Sequence, residues 1–525
     1  MTNAMIIIAI VVYMVAIVGI GFYFTNKNKS TDDFYLGGRR LGPMVTAMSA
    51  EASDMSSWLL MGLPGVALAG LTGLNGSFAE ATWTAIGLAV GTYLNWLIVA
   101  KPIRLYSEKI HAFTIPDFYS NRYGDEKGVL CVISAVIIIV FFVPYTASGF
   151  ASIGKLFNSL FGVDYHAAMV VGAIVVAVYT VLGGFLAAST TDFIQSIIMT
   201  LALFVVIGFG IDAAGSFGAA MDNASGAVNG YFSLTGNGSY SGLAIASTMA
   251  WGLGYFGMPH ILLRFMAIED ERKLVVSRRI AVVWVVISMA VAILIGVIGF
   301  SYVTKAGLVS SGHFDPERII VYIAAALAHI NPAWAFIAGV ILSGILASTM
   351  STSDSQMLAA ASSVSENILG RFLWNRTDVS AEEKAKAERG KIRAARITVL
   401  CVALVSIFFA WDPNSSVFRI VSFAWAGFGG SFAALTLFSL FWRRTNLPGA
   451  IAGVVCGGAT VFIWKFGIAK LGGLFAIYEL LPAFIVSSIA IIVVSLLTAP
   501  PSEEIVRTFD EVKVLDQEAR REKLD

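Results

Sequence analysis

An acid and a row of hydroxyls stand where an apolar run of membrane-spanning length should be unbroken. In residues 47–64, AMSAEASDMSSWLLMGLP, serines together with Glu51 and Asp54 interrupt that run. A carboxylate near mid-membrane costs roughly 3 kcal/mol on insertion scales, so it is kept where it has a partner or lines a pathway. A second stretch, MAWGLGYFGMPH at 249–260, carries Gly252, Gly254, Gly257 and Pro259. These relax helix geometry and remove a backbone donor, which favours unwinding. Trp251 and Tyr255 beside it would share a helix face and could wall a pocket. A third, SGILASTMSTSDS at 343–355, is packed with hydroxyls. A dehydrated monovalent cation wants several oxygens, and hydroxyls plus carbonyls freed from a helix supply them, with Asp54 adding charge nearby. The plainer readings are a helix cap for Asp54, a kink and an interfacial aromatic belt for 249–260, and small-residue helix packing for 343–355.

The elements that must position these residues are membrane helices. The 525 residues are 57% hydrophobic and 13% charged, about half the charge of a soluble domain. A bilayer core about 30 Å thick takes roughly 20 apolar residues per helix. Runs of that length occupy 4–25, 43–71, 78–100, 128–152, 165–187, 190–212, 242–263, 277–304, 333–361, 396–411, 417–442, 448–468 and 474–498, about thirteen spans. The first lacks a basic leader and a small-residue cleavage site, so it reads as a retained span. Alternating the spans leaves only Lys155, Lys305, Arg318, Arg419, Lys465 and Lys470, of 35 Lys and Arg, on the side of the N-terminus. The positive-inside bias then puts the N-terminus outside and the C-terminus in the cytoplasm.

A net charge of +1 argues against nucleic acid as a partner. Cys131, Cys401 and Cys456 are scattered through apolar spans and suggest neither a disulfide framework nor a metal site. No nucleophile, metal cluster or cofactor loop accompanies Glu51 and Asp54, so the chain does not read as an enzyme. The tail after residue 499 reads as too short for a signalling domain, which counts against a sensor, and 380–396 as a cytoplasmic helix.

The interrupted spans are the second and the seventh, so each opens a block of five. That is the expectation for an inverted-repeat carrier, in which discontinuous helices meet their ligands near the midplane. The organisation read this way is a first helix and loop (1–42), one five-helix repeat (43–212), an extracellular loop (213–241), a second repeat (242–442), two accessory helices (443–498) and a tail (499–525).

Seven stretches in order carry a resemblance to a known family. They are LGGRRLGP at 36–43, ASDMSSWLLMGLPG at 52–65, YTASG at 145–149, GGFLAAS at 183–189 with Asp192, WGLGYFGMPHILLRFMA at 251–267, LASTMSTSDSQ at 346–356 and SFAWAGFGGSF at 422–432. At these residues the chain resembles the solute:sodium symporter family, most closely its proline-transporting branch. The resemblance implies an all-α polytopic fold of the LeuT type, a 5+5 core with one extra helix before it and two after. It implies a sodium site built from the carbonyls of Ala52, Met55 and Ser348 and the hydroxyls of Ser351 and Thr352. Asp54, Ser56, Asp192 and Arg39 would serve sodium coupling. Trp58, Gly62, Tyr145, Trp251, Tyr255 and Pro259 would bind the solute, for which the resemblance implies L-proline. A pyrrolidine ring packs on aromatic faces, its ammonium engages a π face, and its carboxylate suits a helix N-terminus or the ion.

What the resemblance implies overall is sodium-coupled proline import through the inner membrane of a bacterium, with no cofactor beyond the coupling ion. Another solute, lithium or protons in place of sodium, or a channel on the same scaffold are the alternatives. Two residues depart from the pattern: Glu51 stands where a small residue is expected, and Ser57 replaces a glycine beside Trp58. Glu51 is the extra acid whose role the pattern leaves open.

Overall fold

The computed structural model describes residues 2–25, 31–238, 240–311, 314–371 and 380–521. Its principal helices are α1 (Thr2–Thr25), α2 (Pro43–Asp54), α3 (Leu63–Ala69), α4 (Phe78–Leu94), α5 (Val129–Phe161), α6 (Tyr165–Ala214), α7 (Gly242–Met249), α8 (Pro259–Ala267), α9 (Leu274–Lys305), α10 (Pro332–Ser362), α11 (Ala381–Phe409), α12 (Val417–Phe428), α13 (Leu447–Phe466), α14 (Leu480–Leu497) and α15 (Glu503–Arg521). No β-strand occurs among the described residues; one isolated bridge pairs Leu41 with Ile268. All-helical spanning follows from the bilayer, where each helix satisfies its own backbone groups. Many of the helices start on polar caps that accept a backbone N–H, among them Ser77, Asn331, Ser416 and Asn446.

Ten helical segments among the described residues are long and apolar enough to cross a membrane. The other three expected spans exist in shorter pieces. Span 43–71 is α2 and α3 with a π-helical turn, Trp58–Gly62, ahead of α3. Span 242–263 is α7, a 3-10 stretch Ala250–Gly257, and α8. Span 165–187 is the shorter apolar helix Tyr165–Val181, and thirteen is the expectation that treats each of the three as one crossing. The chain was expected to turn between 187 and 190. Instead α6 runs through with a kink at Gly184, whose φ of 65° is open to glycine, so the bend falls three residues earlier.

α10 lies at the centre, packed on α1, α5 and α6, while α2 packs on α6, α8, α9 and α10. The glycines of the second break turn out to serve close approach. A Cβ on Gly252 would lie 2.2 Å from the carbonyl oxygen of Gly87, and one on Gly91 would lie 2.3 Å from that of Gly252. α4 therefore crosses the 3-10 stretch backbone to backbone. Gly254 accepts the Trp425 ring, and Gly257 touches the Phe428 carbonyl. Since neither partner at the α4 crossing is a flexible side chain, Gly252→Ala forces the two elements apart. The expected loss is about 1–3 kcal/mol, the range of overpacked cores, read as a lower melting temperature of the purified protein.

One face of the bundle gathers the basic loops. Arg443 pairs with Asp510 and Lys109 with Glu511, so α15 is tied beneath the helix Ala100–Lys109. Phe509 and Val512 are buried there, and the Arg122 guanidinium sits 5.0 Å over the Phe509 ring. The stretch expected to be a helix at 380–396 is the start of α11, opened by a capping box between Ser380 and Glu383.

Candidate functional site

The chain leaves helical geometry at Met55, where ψ is 60°. Several of the backbone groups released there find partners, as a buried break favours. Ser56 N donates to the Asp54 carbonyl at 2.8 Å, and Ser56 Oγ accepts from Trp58 N at 3.1 Å, starting the next turn. Tyr145 Oη donates to the Asp54 carbonyl at 3.1 Å. The break is thus held by Ser56 from within and by α5 from outside.

The hydroxyl-rich third stretch meets this break directly. Ser351 Oγ donates to the Ala52 carbonyl at 2.8 Å, with Thr352 Oγ1 at 3.5 Å from the same oxygen and Ser351 Oγ at 3.2 Å from the Ser348 carbonyl. Four of the five expected sodium ligands, Ala52, Ser348, Ser351 and Thr352, are therefore brought together. Met55 stands three residues further along the same break. Together these groups form a patch of hard oxygens, which suits a small cation.

Asp54 stands on the other side of the turn. Its Oδ2 accepts from Tyr255 Oη at 2.8 Å, while Oδ1 is buried without a hydrogen-bond partner. Tyr255 thereby joins the two breaks. Glu51, one turn earlier, points away from α10: its Oε1 accepts from Trp96 Nε1 at 2.8 Å and Thr92 Oγ1 at 3.1 Å. Nothing in the sequence marked Trp96 and Thr92 as partners, because they sit in an ordinary apolar span.

The expected solute residues fall largely in one aromatic cluster. The Trp58 and Trp251 rings lie 5.7 Å apart, and both touch Phe418, at 6.0 and 5.4 Å. Trp425 lies against Trp251 and Tyr255, and Tyr478 stacks on Trp251 at 5.2 Å. A Cβ on Gly62 would lie 3.3 Å from Phe418, so this glycine keeps the floor of the cluster open. Tyr145 reaches the break through the hydrogen bond described above. Pro259 opens α8 at the far end of the 3-10 stretch. Phe418, Trp425 and Tyr478 were not expected; Trp425 does sit inside SFAWAGFGGSF. Trp58 Nε1 is buried without a partner in this cluster, a polar handle amid apolar surfaces. Ser57, the departure beside Trp58, shares a 2.7 Å hydrogen bond with Ser152 of α5.

Asp192 stands among packed helices rather than at a helix end. It lies fully buried within α6, where its Oδ2 accepts from Ser49 Oγ at 2.7 Å and Arg264 Nη2 at 3.1 Å. Arg264, one residue beyond the expected span 242–263, is no loop cation: it is 1% exposed. Its other donors reach Ser49 Oγ, the His260 carbonyl and Ser355 Oγ, and Ser355 in turn bonds Asp354 at 3.2 Å. The two broken spans, α6 and α10 all meet at this guanidinium. Arg39 ties the basic face: it donates to the carbonyls of Met266 and Ala112 and to Ser107 Oγ, while Leu41 pairs with the chain at Ala267.

The opposite face holds a cavity of about 520 Å³ lined by Gly65, Lys155, Asp315, Glu317 and Arg419 among others. Lys155 pairs with Glu317 at 2.9 Å, and Glu317 accepts from the backbone N–H of Val417 and Phe418, capping α12. The placement of Phe418 in the aromatic cluster is fixed from this cavity.

Comparison with known proteins fits this geometry. Residues 34–457 match the sodium:solute symporter family. The chain is 42% identical over 525 residues to a sodium/proline symporter of Haemophilus influenzae, covering 98% of this chain and 99% of the relative. It is 40% identical over 506 residues to an osmoregulated proline transporter of Bacillus subtilis, covering 96% and 97%. Among solved structures, a sodium-coupled sialic acid symporter in a substrate-bound outward-open state superposes with a TM-score of 0.72 at 17% identity, covering 95% of this chain and 99% of that one. A nucleobase-cation-symport-1 family transporter superposes with a TM-score of 0.52 at 14% identity, covering 91% and 98%. At those identities the likeness is one of fold.

Proposed function

This chain belongs to the sodium:solute symporter family, and we propose that it imports L-proline into a bacterial cell on the inward sodium gradient, by alternating access around the two broken spans. The observation that carries this reading is the contact between spans two and nine, where Ser351 and Thr352 meet the carbonyl freed at Ala52. Sodium takes the place of the hydroxyl protons there: the hydroxyls turn their lone pairs inward and join the carbonyls of Ala52, Met55 and Ser348. Asp54 supplies charge beside the ion, and Ser56 holds the turn that presents it. Proline then lies against Trp58, Trp251 and Tyr255, over Gly62 and near Tyr145, with the α8 N-terminus at Pro259 on the far side of the break.

A ligand shifts a conformational equilibrium only through its different affinity for the two states. Sodium therefore favours the state in which spans two and nine hold all five oxygens, and proline favours the one in which the aromatic cluster closes. The basic face, with Arg39 and α15, is the cytoplasmic one on this reading, with the N-terminus outside. Asp192, bound through Arg264 to both broken spans, transmits ion release to that face.

The test is uptake of labelled proline by the purified protein in proteoliposomes. Uptake driven by an inward sodium gradient, absent with choline or with a proton gradient alone, is the expected result; equal uptake under all three conditions overturns the coupling. Unlabelled proline should compete more strongly than any other amino acid or carboxylate in a panel. Ser351→Ala removes one oxygen of the site and leaves the aromatic cluster intact. It should raise the sodium needed for half-maximal uptake about tenfold, the effect of roughly 1.4 kcal/mol, with proline binding at saturating sodium unchanged.

A further inference from the structure

Glu51 has no part in the cation site on α10. It is 1% exposed, and its Oε1 is committed to Trp96 and Thr92. Its Oε2 is buried with no hydrogen-bond partner, as is Oδ1 of Asp54 one helical turn on. Between Thr92 and Trp96, on the same side of the third span, stands Asn95. Its Nδ2 donates to the Tyr255 carbonyl at 3.0 Å, which fixes the orientation of the amide and leaves Oδ1 buried and unpartnered. Tyr255 closes the group, bonding Asn95 through its carbonyl and Asp54 through its hydroxyl. Three unsatisfied oxygens, two of them on carboxylates, thus lie on elements linked to one another by hydrogen bonds.

All three atoms are acceptors here, and no basic side chain pairs with either carboxylate among the described residues. Arg264, the buried guanidinium under α2, is engaged by Asp192, Ser49, Ser355 and the His260 carbonyl. Buried acceptors without donors are costly, and buried charge without countercharge more so. A proton shared between Glu51 and Asp54 would satisfy two of the atoms and leave Asn95 Oδ1 orphaned. A small monovalent cation would draw on all three and offset one of the two charges, leaving the other to the ion at the α10 cluster, and carboxylate and amide oxygens are the hard donors it prefers.

We propose that Glu51, Asp54 and Asn95 form a second sodium site in this chain, separate from the cluster on α10, so that two sodium ions enter with each solute molecule. This rests on the sodium-coupled import argued above. The α10 cluster takes its oxygens from the Ala52 side of the break; this site takes them from the side facing the third span, with Asp54 standing between the two.

The test uses the full-length protein in proteoliposomes, measuring initial rates of labelled proline uptake across sodium concentrations together with the sodium-to-proline flux ratio. Glu51→Gln keeps the acceptor for Trp96 and Thr92 and removes the charge; Glu51→Asp keeps the charge. The wild type should show a Hill coefficient approaching two and about two sodium ions per proline, since the coefficient is bounded by the number of sites. Glu51→Gln should fall to about one on both measures, and Glu51→Asp should recover towards two. An unchanged coefficient and flux ratio in Glu51→Gln overturn the site. So does a shifted pH dependence at constant flux ratio, which would assign a proton to Glu51. A wild type indifferent to sodium overturns the import reading itself. If Glu51→Gln transports too little to measure, the dependence of melting temperature on sodium concentration decides without turnover: about half the wild-type slope supports the site, and an equal slope overturns it.

Discussion

Replacing Asp54 by asparagine should raise the sodium needed for proline uptake about a hundredfold while leaving the protein folded. The isosteric amide keeps an oxygen for the 2.8 Å bond from Tyr255 Oη, so the geometry of the break survives. What is lost is a full negative charge beside the freed Ala52 carbonyl. At an effective dielectric of about 20, a carboxylate about 5 Å from a cation contributes about 3 kcal/mol, close to a factor of a hundred in affinity. Sodium titrations of uptake and of proline binding check this together. An Asp54→Asn protein with wild-type sodium dependence would remove the residue from coupling.

The second large effect is on stability. Arg264→Met should destabilise the protein by about 3–5 kcal/mol, the range for removing one partner of a buried ion pair. The guanidinium serves Asp192, Ser49, Ser355 and the His260 carbonyl, which lie on α6, α2, α10 and α8. Methionine leaves all four acceptors without their donor and Asp192 without its countercharge. Because most of that cost is the stranded carboxylate, adding Asp192→Leu should restore much of the loss. Thermal melts of the purified single and double variants measure both steps. A double variant no more stable than the single one would show that the pair is not what holds α6 to α8.

The sequence reading reached the architecture because a bilayer imposes one local rule, about 20 apolar residues per crossing, and because violations of it stand out in one dimension. Asp54, the glycines at 252–257 and the hydroxyls at 348–352 are such violations, and three-dimensional contacts join all of them. The reason inferred for the glycines was incomplete. They were read as unwinding the helix, but what they avoid is Gly87, Gly91 and the Trp425 ring, none of them near in sequence. Arg264 was misplaced for a similar reason. An arginine at the end of an apolar run looks like a loop cation until its acid, 72 residues earlier in the chain, is seen beside it. Glu51 was visible as an anomaly, but its partners Trp96 and Thr92 are unremarkable in a membrane helix and carry no signal of their own. Phe418 and Tyr478 are aromatic residues in apolar spans, where rings are common.

Tyr255 is held at both ends by different helices: its carbonyl by Asn95 and its hydroxyl by Asp54. A carrier in which the ion-bearing and cargo-bearing segments could swing independently would let sodium run down its gradient with nothing aboard. One phenol riveting the two segments makes such slippage require a broken hydrogen bond in a water-poor interior. On the import proposed above, the tightness of coupling between gradient and solute would then rest on a single side chain.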